Sequence, residues 1–452
     1  MAKKIVFIGA GSQVFTRNLT RDILTFPALQ DAELALVDID PGNLALAKAA
    51  VEKIVEVGKY PAKVTATNDR VKALEGADGV VCTIAYGGTE AFKADIGIPS
   101  SYGVSINVGD TSGPSGIFRF LRTWNPMLEI LRDIEKYCPK ALFLNYTNPM
   151  AMLCRAMQTV SKVELTGLCH SVQGTAEMLA RWLGADMKNI DYVCAGINHQ
   201  AFYLKYLWNG ENAYPKLKEL MKKPEIYNEE QVRNEMFIHL DYYVTESSGH
   251  NSEYNAWFRK RKDLLEKYCT HGTGWNPGLD SWERMKQYFG ADDSGREDAR
   301  TKRRNEEFNK WISGDIDLKR GHEFASYIFN AKFGDNTVYE FNGNIRNFGI
   351  IDNLPEGCCV ESPVFVDKAG LHPVHVGPLP AQLAVLNNIS ARCEELAVEG
   401  CLEGDPRKIY HACLYDPLTS AVCSMQEIKE MTAKMFEAEK QWLHQFKTID
   451  IG

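Results

Sequence analysis

The sequence predicts an α/β protein that begins with a Rossmann-type, doubly wound parallel sheet. Between residues 4 and 168, short apolar runs typical of buried strands alternate with helical segments. This alternation predicts a parallel sheet with helices on both faces. A glycine-containing turn at residues 9–14 directly follows the first run, and Asp38 ends the second run. Both features are typical of dinucleotide-binding domains.

Each predicted strand is a short run of β-branched, aliphatic or aromatic residues, and each predicted helix is longer and more polar. The predicted strands are residues 4–9, 33–38, 78–85, 141–145 and 164–168, and the predicted helices are residues 14–24, 42–57, 116–136 and a segment beginning near Pro149. Right-handed crossovers bring the loops that follow parallel strands to one edge of the sheet. The loops expected to converge there are residues 9–12, Asp38, 85–88, 145–148 and 169–170.

The pattern changes beyond about Asn198, where strands and helices no longer alternate regularly. We therefore predict a Rossmann-type domain at residues 1–197 and an α+β domain at residues 198–452. The second domain is expected to contribute to the substrate site, the metal site and oligomerisation. Two charge runs, at residues 259–262 and 302–304, are typical of solvated helix faces.

Composition disfavours several classes of function. The 452 residues carry a formal net charge of -8, and nucleic-acid binding would require a basic face. No apolar run is long enough to span a bilayer, and residues 1–7 lack the hydrophobic region of a signal peptide. Twelve cysteines are scattered without zinc-type spacing, which is typical of free thiols in a reducing compartment. We expect a cytoplasmic protein without membrane contact.

The turn at residues 9–14 (Gly-Ala-Gly-Ser-Gln-Val) predicts a site for NAD. Its first two glycines allow a tight turn and the close approach of a pyrophosphate to the N-terminus of the following helix. A carboxylate at Asp38 suits the ribose hydroxyls of NAD and would repel the additional phosphate of NADP. The predicted cofactor-binding residues are Gly9, Gly11, Ser12, Gln13, Asp38 and Asn145. The alternative is a glycine turn in an ordinary α/β domain.

Two dipeptides, Cys169-His170 and Asn198-His199, offer thiolate and imidazole donors. Such donors suit a borderline divalent transition metal, and two protein ligands leave positions open for a substrate and water. The spacing alone leaves an alternative open, in which Cys169 is a buried thiol beside a hydrogen-bonded histidine.

Six segments resemble the signature blocks of glycoside hydrolase family 4. They are residues 109–119 (GDTSGPSGIFR), 145–150 (NYTNPM), 167–173 (GLCHSVQ), 196–199 (GINH), 245–248 (TESS) and 353–355 (NLP). Their order and spacing match from about Ile5 to about Leu418, so the resemblance covers nearly the whole chain. The form Cys-His-Ser-Val at residues 169–172 is similar to that of the α-galactosidases in this family.

The resemblance implies a lactate or malate dehydrogenase-like fold and a retaining α-galactosidase that acts on sugars such as melibiose. The family departs from two-carboxylate glycoside hydrolysis. The resemblance implies that NAD removes a hydride from C3 of the sugar, that a base removes the C2 proton, and that the leaving group at C1 is eliminated. Water then adds and the hydride returns. The developing enolate needs a Lewis acid, typically Mn²⁺ in this family. A homodimer or homotetramer is also implied.

The resemblance also implies roles for individual residues. The metal ligands are Cys169 and His199, the sugar-binding residues are Asn148 and Asn198, and the catalytic residues are Tyr254, His170 and Asp110. Tyr254 is the base at C2, with Tyr243 as the second candidate. His170 is the proton donor to the leaving group, because some relatives carry an aspartate with that role at this position, and Asp110 is the alternative donor.

Other functions remain open from the sequence. An α-glucosidase or a uronic-acid glycosidase of the same family is one alternative. A lactate- or malate-type dehydrogenase would share the first domain but would produce net NADH and would require a His–Asp pair. A sugar sensor that keeps NAD bound would need no metal.

Overall fold

The computed structural model describes residues 2–270 and 296–452, without the side chains of Gln13, Thr89 and residues 296–301. The strands are β1 (Lys4–Ile8), β2 (Glu33–Val37), β3 (Lys63–Thr67), β4 (Gly79–Cys82), β5 (Leu142–Asn145), β6 (Leu165–Gly167), β7 (Ile190–Ile197), β8 (Gln200–Trp208), β9 (Glu211–Asn212), β10 (Tyr339–Arg346), β11 (Cys359–Asp367) and β12 (Gly370–Pro373).

The α-helices alternate with the first strands and dominate the C-terminal part. They are α1 (Gln13–Leu24), α2 (Pro41–Gly58), α3 (Arg70–Leu74), α4 (Gly88–Ser101), α5 (Gly113–Tyr137), α6 (Met150–Val160), α7 (Ser171–Leu183), α8 (Tyr214–Leu220), α9 (Pro224–Tyr227), α10 (Gln231–Leu240), α11 (Ser248–Tyr254), α12 (Lys262–Tyr268), α13 (Arg296–Ile312), α14 (Phe324–Phe333), α15 (Ala381–Glu403), α16 (Pro406–Tyr415), α17 (Pro417–Val422) and α18 (Met425–Glu439).

In the described part of the chain, twelve strands form one mixed sheet. Six parallel strands lie in the order β3-β2-β1-β4-β5-β6, and the chain switches direction between β1 and β4, as in dinucleotide-binding domains. The strands β10, β11, β7, β8 and β9 extend the sheet beyond β6 with antiparallel pairing. The predicted Rossmann-type sheet followed by an α+β part is confirmed.

Alternate side chains of the parallel strands fill two cores. Val6 and Ile8 of β1 pack in a core with α5, α6 and the C-terminal helices. Ile5 and Phe7 pack in a second core with α1, α2 and α14. Successive residues of a strand point to opposite faces, so helices cover both faces. The loops at the carboxyl ends of the strands are therefore the part of the sheet where a site can form.

The predicted boundary between residues 197 and 198 stays a prediction. It lies in the turn between β7 and β8, which pair along their length. The antiparallel strand β10 lies directly beside β6, and residues of α15, α16 and α18 share one core with α5 and α6. The two predicted parts therefore share a sheet and a core.

A buried arginine ties the C-terminal helices to the Rossmann-type part. Arg122 of α5 donates hydrogen bonds to Asp95 of α4 (2.8 Å) and to Glu439 at the end of α18 (3.0 Å). All three side chains are at most 3% exposed, and removing one partner would leave an uncompensated buried charge. Arg122 also donates to the carbonyl of Tyr86 (3.1 Å), so this cluster supports the loop after β4.

Five elements of the first part, β3, α3, α4, α7 and β7, were not predicted from the sequence. β3 lies at the edge of the sheet and is only half-buried, so it lacks the apolar run of the central strands. α3 has only five residues. α4 contains Pro99, a residue that ordinarily disfavours a helix interior.

The charge runs differ in their burial. In the first run, Arg261 and Lys262 are exposed as predicted, but Arg259 is 2% exposed and donates a hydrogen bond to the carbonyl of Ser105 (2.8 Å). The prediction of a solvated face is therefore wrong for Arg259, which links two distant loops. The second run, residues 302–304, lies on α13 and is mostly exposed. Among residues 2–270 and 296–452, no helix is both long and apolar enough to cross a bilayer.

Candidate active site

The glycine turn after β1 is shaped by two close approaches. Gly9 has φ +81°, and a Cβ atom there would lie 2.8 Å from the carbonyl oxygen of Thr83. A Cβ atom on Gly11 would lie 2.6 Å from a carboxylate oxygen of Asp38. The Gly11 N–H donates a hydrogen bond to that oxygen (2.7 Å). A side chain at either glycine would therefore displace the neighbouring loop.

The other predicted cofactor residues lie around the start of α1 and the end of β5. Ser12 is the N-cap of α1 and makes no side-chain capping hydrogen bond, so free backbone N–H groups are left for an anion. The side chain of Gln13 lies outside the described residues. Asn145 is fully buried, and its amide hydrogen-bonds within its own loop, to Thr147. A direct contact of Asn145 with NAD stays a prediction.

A cavity of about 620 Å³ adjoins the glycine turn. Its lining residues are Val14, Phe15, Asn18, Asp110, Tyr146, Asn148, Met150, Leu168, Cys169, His170, His199, Glu246, His250 and Glu323. The first three belong to α1, Met150 begins α6, and His250 lies within α11. The others come from the loops after β5 and β6, the turn between β7 and β8, and the segments before α5, α11 and α14. Five predicted site residues therefore lie together in one cavity.

The two predicted metal ligands belong to one cluster. A donor atom each of Cys169, His199 and Glu246 lies within 4.8 Å of the other two. His199 Nδ1 is 2.9 Å from Thr111 Oγ1, which leaves Nε2 available as a ligand atom. Burial and the nearby Glu361 and Glu246 carboxylates raise the pKa of the Cys169 thiol well above its ordinary value. A thiolate here requires a cation beside it, so the donor set fits a divalent metal.

A second group of charged side chains lies against the first. His250 Nε2 is 3.5 Å from Asp110 Oδ1, and His250 Nδ1 is 3.2 Å from Glu246 Oε1. Although burial opposes its ionisation, the nearby His250 and His199 hold the pKa of Asp110 well below its ordinary value. An ionised Asp110 accepts hydrogen bonds in this arrangement, and its alternative role as proton donor stays a prediction.

Tyr254 lies at the end of α11, inside the cluster. Its hydroxyl is 3.2 Å from His199 Nδ1, and its ring stacks on the His199 ring. Burial raises the pKa of Tyr254 well above its ordinary value, so a role as base would also require a nearby cation. The alternative base, Tyr243, is fully buried in a hydrophobic cluster and hydrogen-bonds to Asn234. Neither tyrosine is among the residues that line the cavity, but Tyr254 contacts His199, which lines it.

The residue before Tyr254 fixes it to the Asp110 loop. Glu253 is buried, and its carboxylate accepts hydrogen bonds from the backbone N–H groups of Asn107 (2.6 Å), Val108 (2.8 Å) and Gly109 (2.9 Å). Three such bonds in a buried setting hold α11 firmly against this loop. One buried carboxylate thus ties the helix that carries the predicted base, Tyr254, to the loop that carries the alternative acid, Asp110.

His170 lies on the opposite side of the cavity. Its Nε2 atom is 2.5 Å from Glu323 Oε1, and the rings of Phe15 and Tyr146 pack around the imidazole at 5.2 Å and 6.0 Å. The carboxylate contact fixes the orientation of the imidazole and leaves Nδ1 as the free ring nitrogen. The predicted role of His170 as proton donor stays a prediction.

The two predicted sugar-binding amides have unused acceptors. Asn148 donates to Asp110 Oδ2 (3.2 Å) and is joined to Pro149 by a cis peptide bond. Asn198 donates to Glu361 Oε1 (3.4 Å). The Oδ1 atoms of both asparagines are buried and accept no hydrogen bond within the described part of the protein. Asn148 lines the cavity, whereas Asn198 is buried and is not among the lining residues.

Comparison with known proteins identifies the family. The model described as "Family 4 glycosyl hydrolase" matches residues 4–185. The model described as "Family 4 glycosyl hydrolase C-terminal domain" matches residues 194–419. The chain belongs to glycosyl hydrolase family 4. The family prediction from the six sequence blocks is confirmed.

Relatives in family 4 match along nearly their whole length. The chain is 36% identical to an α-galactosidase of Rhizobium meliloti (strain 1021), with 98% of this chain and 89% of the relative covered. It is 34% identical to an α-galactosidase of Bacillus subtilis (strain 168), covering 98% and 100%. It is 29% identical to an α-glucosidase of Erwinia rhapontici, covering 99% and 100%.

Solved structures share the fold of this family 4 chain. A 6-phospho-α-glucosidase from gut microorganisms, in complex with NAD and Mn²⁺, superimposes with a TM-score of 0.78 at 20% identity, covering 99% and 100% of the two chains. The malate dehydrogenase of Plasmodium falciparum superimposes with a TM-score of 0.50 at 14% identity, covering 88% of this chain and 98% of that chain. The predicted dehydrogenase-like fold is confirmed.

Sequence reasoning gave no role to three charged residues of the family 4 cavity. Glu246 lies within the segment at residues 245–248. For His250, the spacing of four residues to Tyr254, one helical turn on α11, was a usable signal. Glu323 had no comparable signal, because it follows a long polar stretch and meets His170 only in the folded chain.

Proposed function

We propose that this family 4 glycosyl hydrolase is an α-galactosidase that uses NAD and a divalent transition metal, with Mn²⁺ as the expected ion. One observation carries the proposal. A single cavity joins the first turn of the nucleotide-side helix, at Val14 and Phe15, to Cys169 and His199. A hydride acceptor on the glycine turn and a metal on these ligands would both face a sugar held in that cavity. The 36% and 34% identity to α-galactosidases supports the substrate class.

The metal and cofactor divide the chemistry with the protein. When bound, NAD supplies a reversible hydride acceptor for C3 of the sugar, and the divalent metal supplies Lewis acidity for the resulting ketone and enolate. Gly9, Gly11 and Asp38 would hold the cofactor, and Cys169 and His199 would hold the metal. NAD is regenerated in each turnover, so the net reaction is hydrolysis.

The protein's own residues supply the proton transfers. Tyr254 would accept the C2 proton, since its hydroxyl lies 3.2 Å from His199 Nδ1, beside the predicted metal site. His170 would donate a proton to the departing glycosidic oxygen and is held by Glu323 across the cavity. Asn148 and Asn198 have unused acceptor atoms for sugar hydroxyls.

The charges around the cavity favour an unphosphorylated, neutral sugar. Among its described lining residues there are three carboxylates and three histidines but neither lysine nor arginine. A 6-phosphate or a uronate carboxylate would normally be recognised by cationic side chains. The three carboxylates would instead repel either anion, which argues against the substrate classes of the phosphoglycosidases and galacturonidases.

Hydrolysis of 4-nitrophenyl α-galactoside tests the proposal. The purified enzyme is stripped of NAD and metal and then assayed with every combination of NAD, Mn²⁺ and a thiol reductant, beside 4-nitrophenyl α-glucoside. We expect nitrophenol release only with all three additions, faster for the galactoside. Turnover by enzyme that is free of NAD would refute the redox mechanism. A preference for the glucoside would retain the mechanism and change the sugar.

Two alternatives are distinguished by the same assay. An α-glucosidase is favoured by the 29% identity to the enzyme of Erwinia rhapontici, and it predicts the opposite order of the two substrates. A malate-type dehydrogenase is suggested by the shared fold, and it predicts net accumulation of NADH without release of nitrophenol.

The cellular setting and assembly complete the proposal. We propose a cytoplasmic homodimer or homotetramer. The described structure contains twelve free cysteines, eleven of them buried, which supports a reducing compartment. Val385 and Ile389 on α15 are 60% and 40% exposed, and such apolar side chains one helical turn apart support a subunit contact on this helix.

A further inference from the structure

We infer that Glu246 is a third protein ligand of the divalent metal, beside Cys169 and His199. This inference rests on the proposed function. It assigns a carboxylate from the segment before α11 to a site that the sequence assigned only to a thiolate and an imidazole. The resulting Cys–His–Glu set would leave the remaining coordination positions on one side of the ion for sugar oxygens and water.

The local backbone directs Glu246 towards His199. Thr245 still belongs to a sheet-like segment, because its N–H donates to the carbonyl of Ala201 (2.9 Å), whereas Ser247 is already the N-cap of α11. Between them, Glu246 has φ +66°, a left-handed conformation that is uncommon for a residue with a Cβ atom. His199 has φ +64°. Two facing residues of one cluster thus share an uncommon backbone conformation.

The distance between Glu246 and His199 is that of two ligands rather than of a hydrogen bond. Glu246 Oε2 is 3.6 Å from His199 Nε2, which is too long for a hydrogen bond. Two donors that each lie about 2.1 Å from one ion are separated by roughly 3.0–3.4 Å, depending on whether the donor–ion–donor angle is octahedral or tetrahedral. The Nδ1 atom of His199 faces Thr111, so Nε2 is the nitrogen that faces both the carboxylate and the cavity.

The second carboxylate oxygen of Glu246 contacts His250. Glu246 Oε1 lies 3.2 Å from His250 Nδ1, and Ser247 Oγ lies 2.7 Å from the same nitrogen. A charged group outside the site that contacts a metal-binding carboxylate in this way can orient it. The Glu246 side chain is 19% exposed, so it lies at the cavity wall rather than in solvent.

Asp110 is the competing carboxylate, since it forms another possible donor group with His199 and His250. Its Oδ1 accepts a hydrogen bond from Thr111 (2.9 Å) and its Oδ2 accepts one from Asn148 (3.2 Å). Both oxygens of Asp110 are therefore engaged, whereas Glu246 Oε2 faces His199 Nε2. The group with Glu246 is also the one that includes Cys169.

Titration of the full-length, reduced enzyme with Mn²⁺, followed by the electron paramagnetic resonance signal of free Mn²⁺, tests the inference. We expect Glu246→Gln to weaken Mn²⁺ binding by at least about ten-fold, with NAD affinity retained. Glu235→Gln is the matched control, because the Glu235 side chain is also 19% exposed but lies outside the cavity lining. It should bind Mn²⁺ like the wild type.

The outcomes separate this inference from the proposed function. A loss smaller than ten-fold in Glu246→Gln, with a strong loss in Cys169→Ser, overturns the Glu246 assignment alone. The metal site as a whole is overturned if the wild-type enzyme does not bind Mn²⁺, or if Cys169→Ser binds Mn²⁺ as tightly as the wild type. If Glu246→Gln does not fold, Glu246→Asp replaces it, since it keeps the charge but withdraws the oxygens by one methylene group, and the same threshold applies. The wild type and Glu246→Gln are also titrated with Co²⁺. The ligand-field spectrum of Glu246→Gln should differ from that of the wild type, while the thiolate charge-transfer band persists in both.

Discussion

The proton donor proposed for the leaving group depends on a contact between two side chains. His170 is half-exposed at the cavity, and the Glu323 carboxylate holds its Nε2 atom at 2.5 Å. The rings of Phe15 and Tyr146 limit its remaining freedom. A fixed imidazole can present Nδ1 to a glycosidic oxygen, whereas a freely rotating one does so for part of the time.

This contact predicts a leaving-group effect. Replacing Glu323 by glutamine should lower kcat for melibiose by at least about ten-fold, because a sugar leaving group needs a proton. Hydrolysis of 4-nitrophenyl α-galactoside should change little, because nitrophenolate departs without one. Steady-state kinetics on both substrates measure the difference between the two losses of kcat. The His170→Asn variant, which lacks the proposed donor, gives the largest difference to be expected. Equal losses on both substrates would show that Glu323 has only a structural role.

At the scale of elements, the β1–α1 turn decides where a dinucleotide can lie. The turn is pressed against the loop after β4, since Gly9 approaches the Thr83 carbonyl, and against the end of β2, since Gly11 approaches Asp38. These contacts place the free N–H groups of α1 at the carboxyl edge of the sheet. The next residues of α1, Val14 and Phe15, then line the sugar cavity.

Alanine at Gly9 should therefore remove NAD binding. The left-handed backbone at Gly9 would cost about 1–2 kcal/mol with a Cβ atom, and the approach to the Thr83 carbonyl would shift the turn. Gly76 is the matched control, because it has φ +71° but nothing within 4 Å of a Cβ atom. NAD affinity by calorimetry should fall in Gly9→Ala and stay near wild type in Gly76→Ala, while thermal melts show a stability loss in both. Wild-type NAD affinity in Gly9→Ala would contradict the proposed nucleotide site.

At the scale of the whole molecule, α15 packs against the Rossmann-type part. It carries two neighbouring glutamates, Glu394 and Glu395, whose pKa values are shifted in opposite directions. Burial raises the pKa of Glu394 to about 8, with Arg155 only partly offsetting it. For Glu395, burial is outweighed by hydrogen bonds from Arg155 and Arg392, which lower its pKa. The first carboxyl opposes folding when ionised, and the second stabilises the fold when ionised.

The two glutamates predict opposite dependences of stability on pH. Between pH 4.5 and 8, folded Glu394 keeps a proton that the unfolded chain loses, so its contribution to stability falls as pH rises. Glu394→Gln should therefore be more stable than wild type at pH 8.5, by at least about 1 kcal/mol, and the difference should vanish near pH 4. Glu395→Gln should be less stable at pH 7, with the difference fading as the pH falls below the ordinary range of a glutamate. Urea denaturation at several pH values measures both, and a pH-independent difference in either variant would contradict the assignment.

Local patterns were sufficient to predict the first half of the fold. The predicted strand at residues 33–38 corresponds to β2, and the predicted helix at residues 116–136 lies within α5. They were predictable because buried parallel strands are continuous apolar runs and long helices have a clear period. The edge strand β3 and the proline-containing helix α4 were not, because neither carries such a local signal.

The Rossmann-type order, the glycine turn and the family could be predicted from the sequence alone, and Cys169 and His199 were recognised there as candidate metal ligands. These depend on residues close to one another along the chain, or on motifs whose form is specific. The tertiary structure alone decided that Glu246, His250 and Glu323 meet the sites predicted from Cys169 and His170. Their loops come from different parts of the chain and are brought to one cavity by the extension of the sheet from β6 through β10, β11, β7 and β8. Local residue patterns carry no record of such long-range contacts, because packing of separate elements produces them.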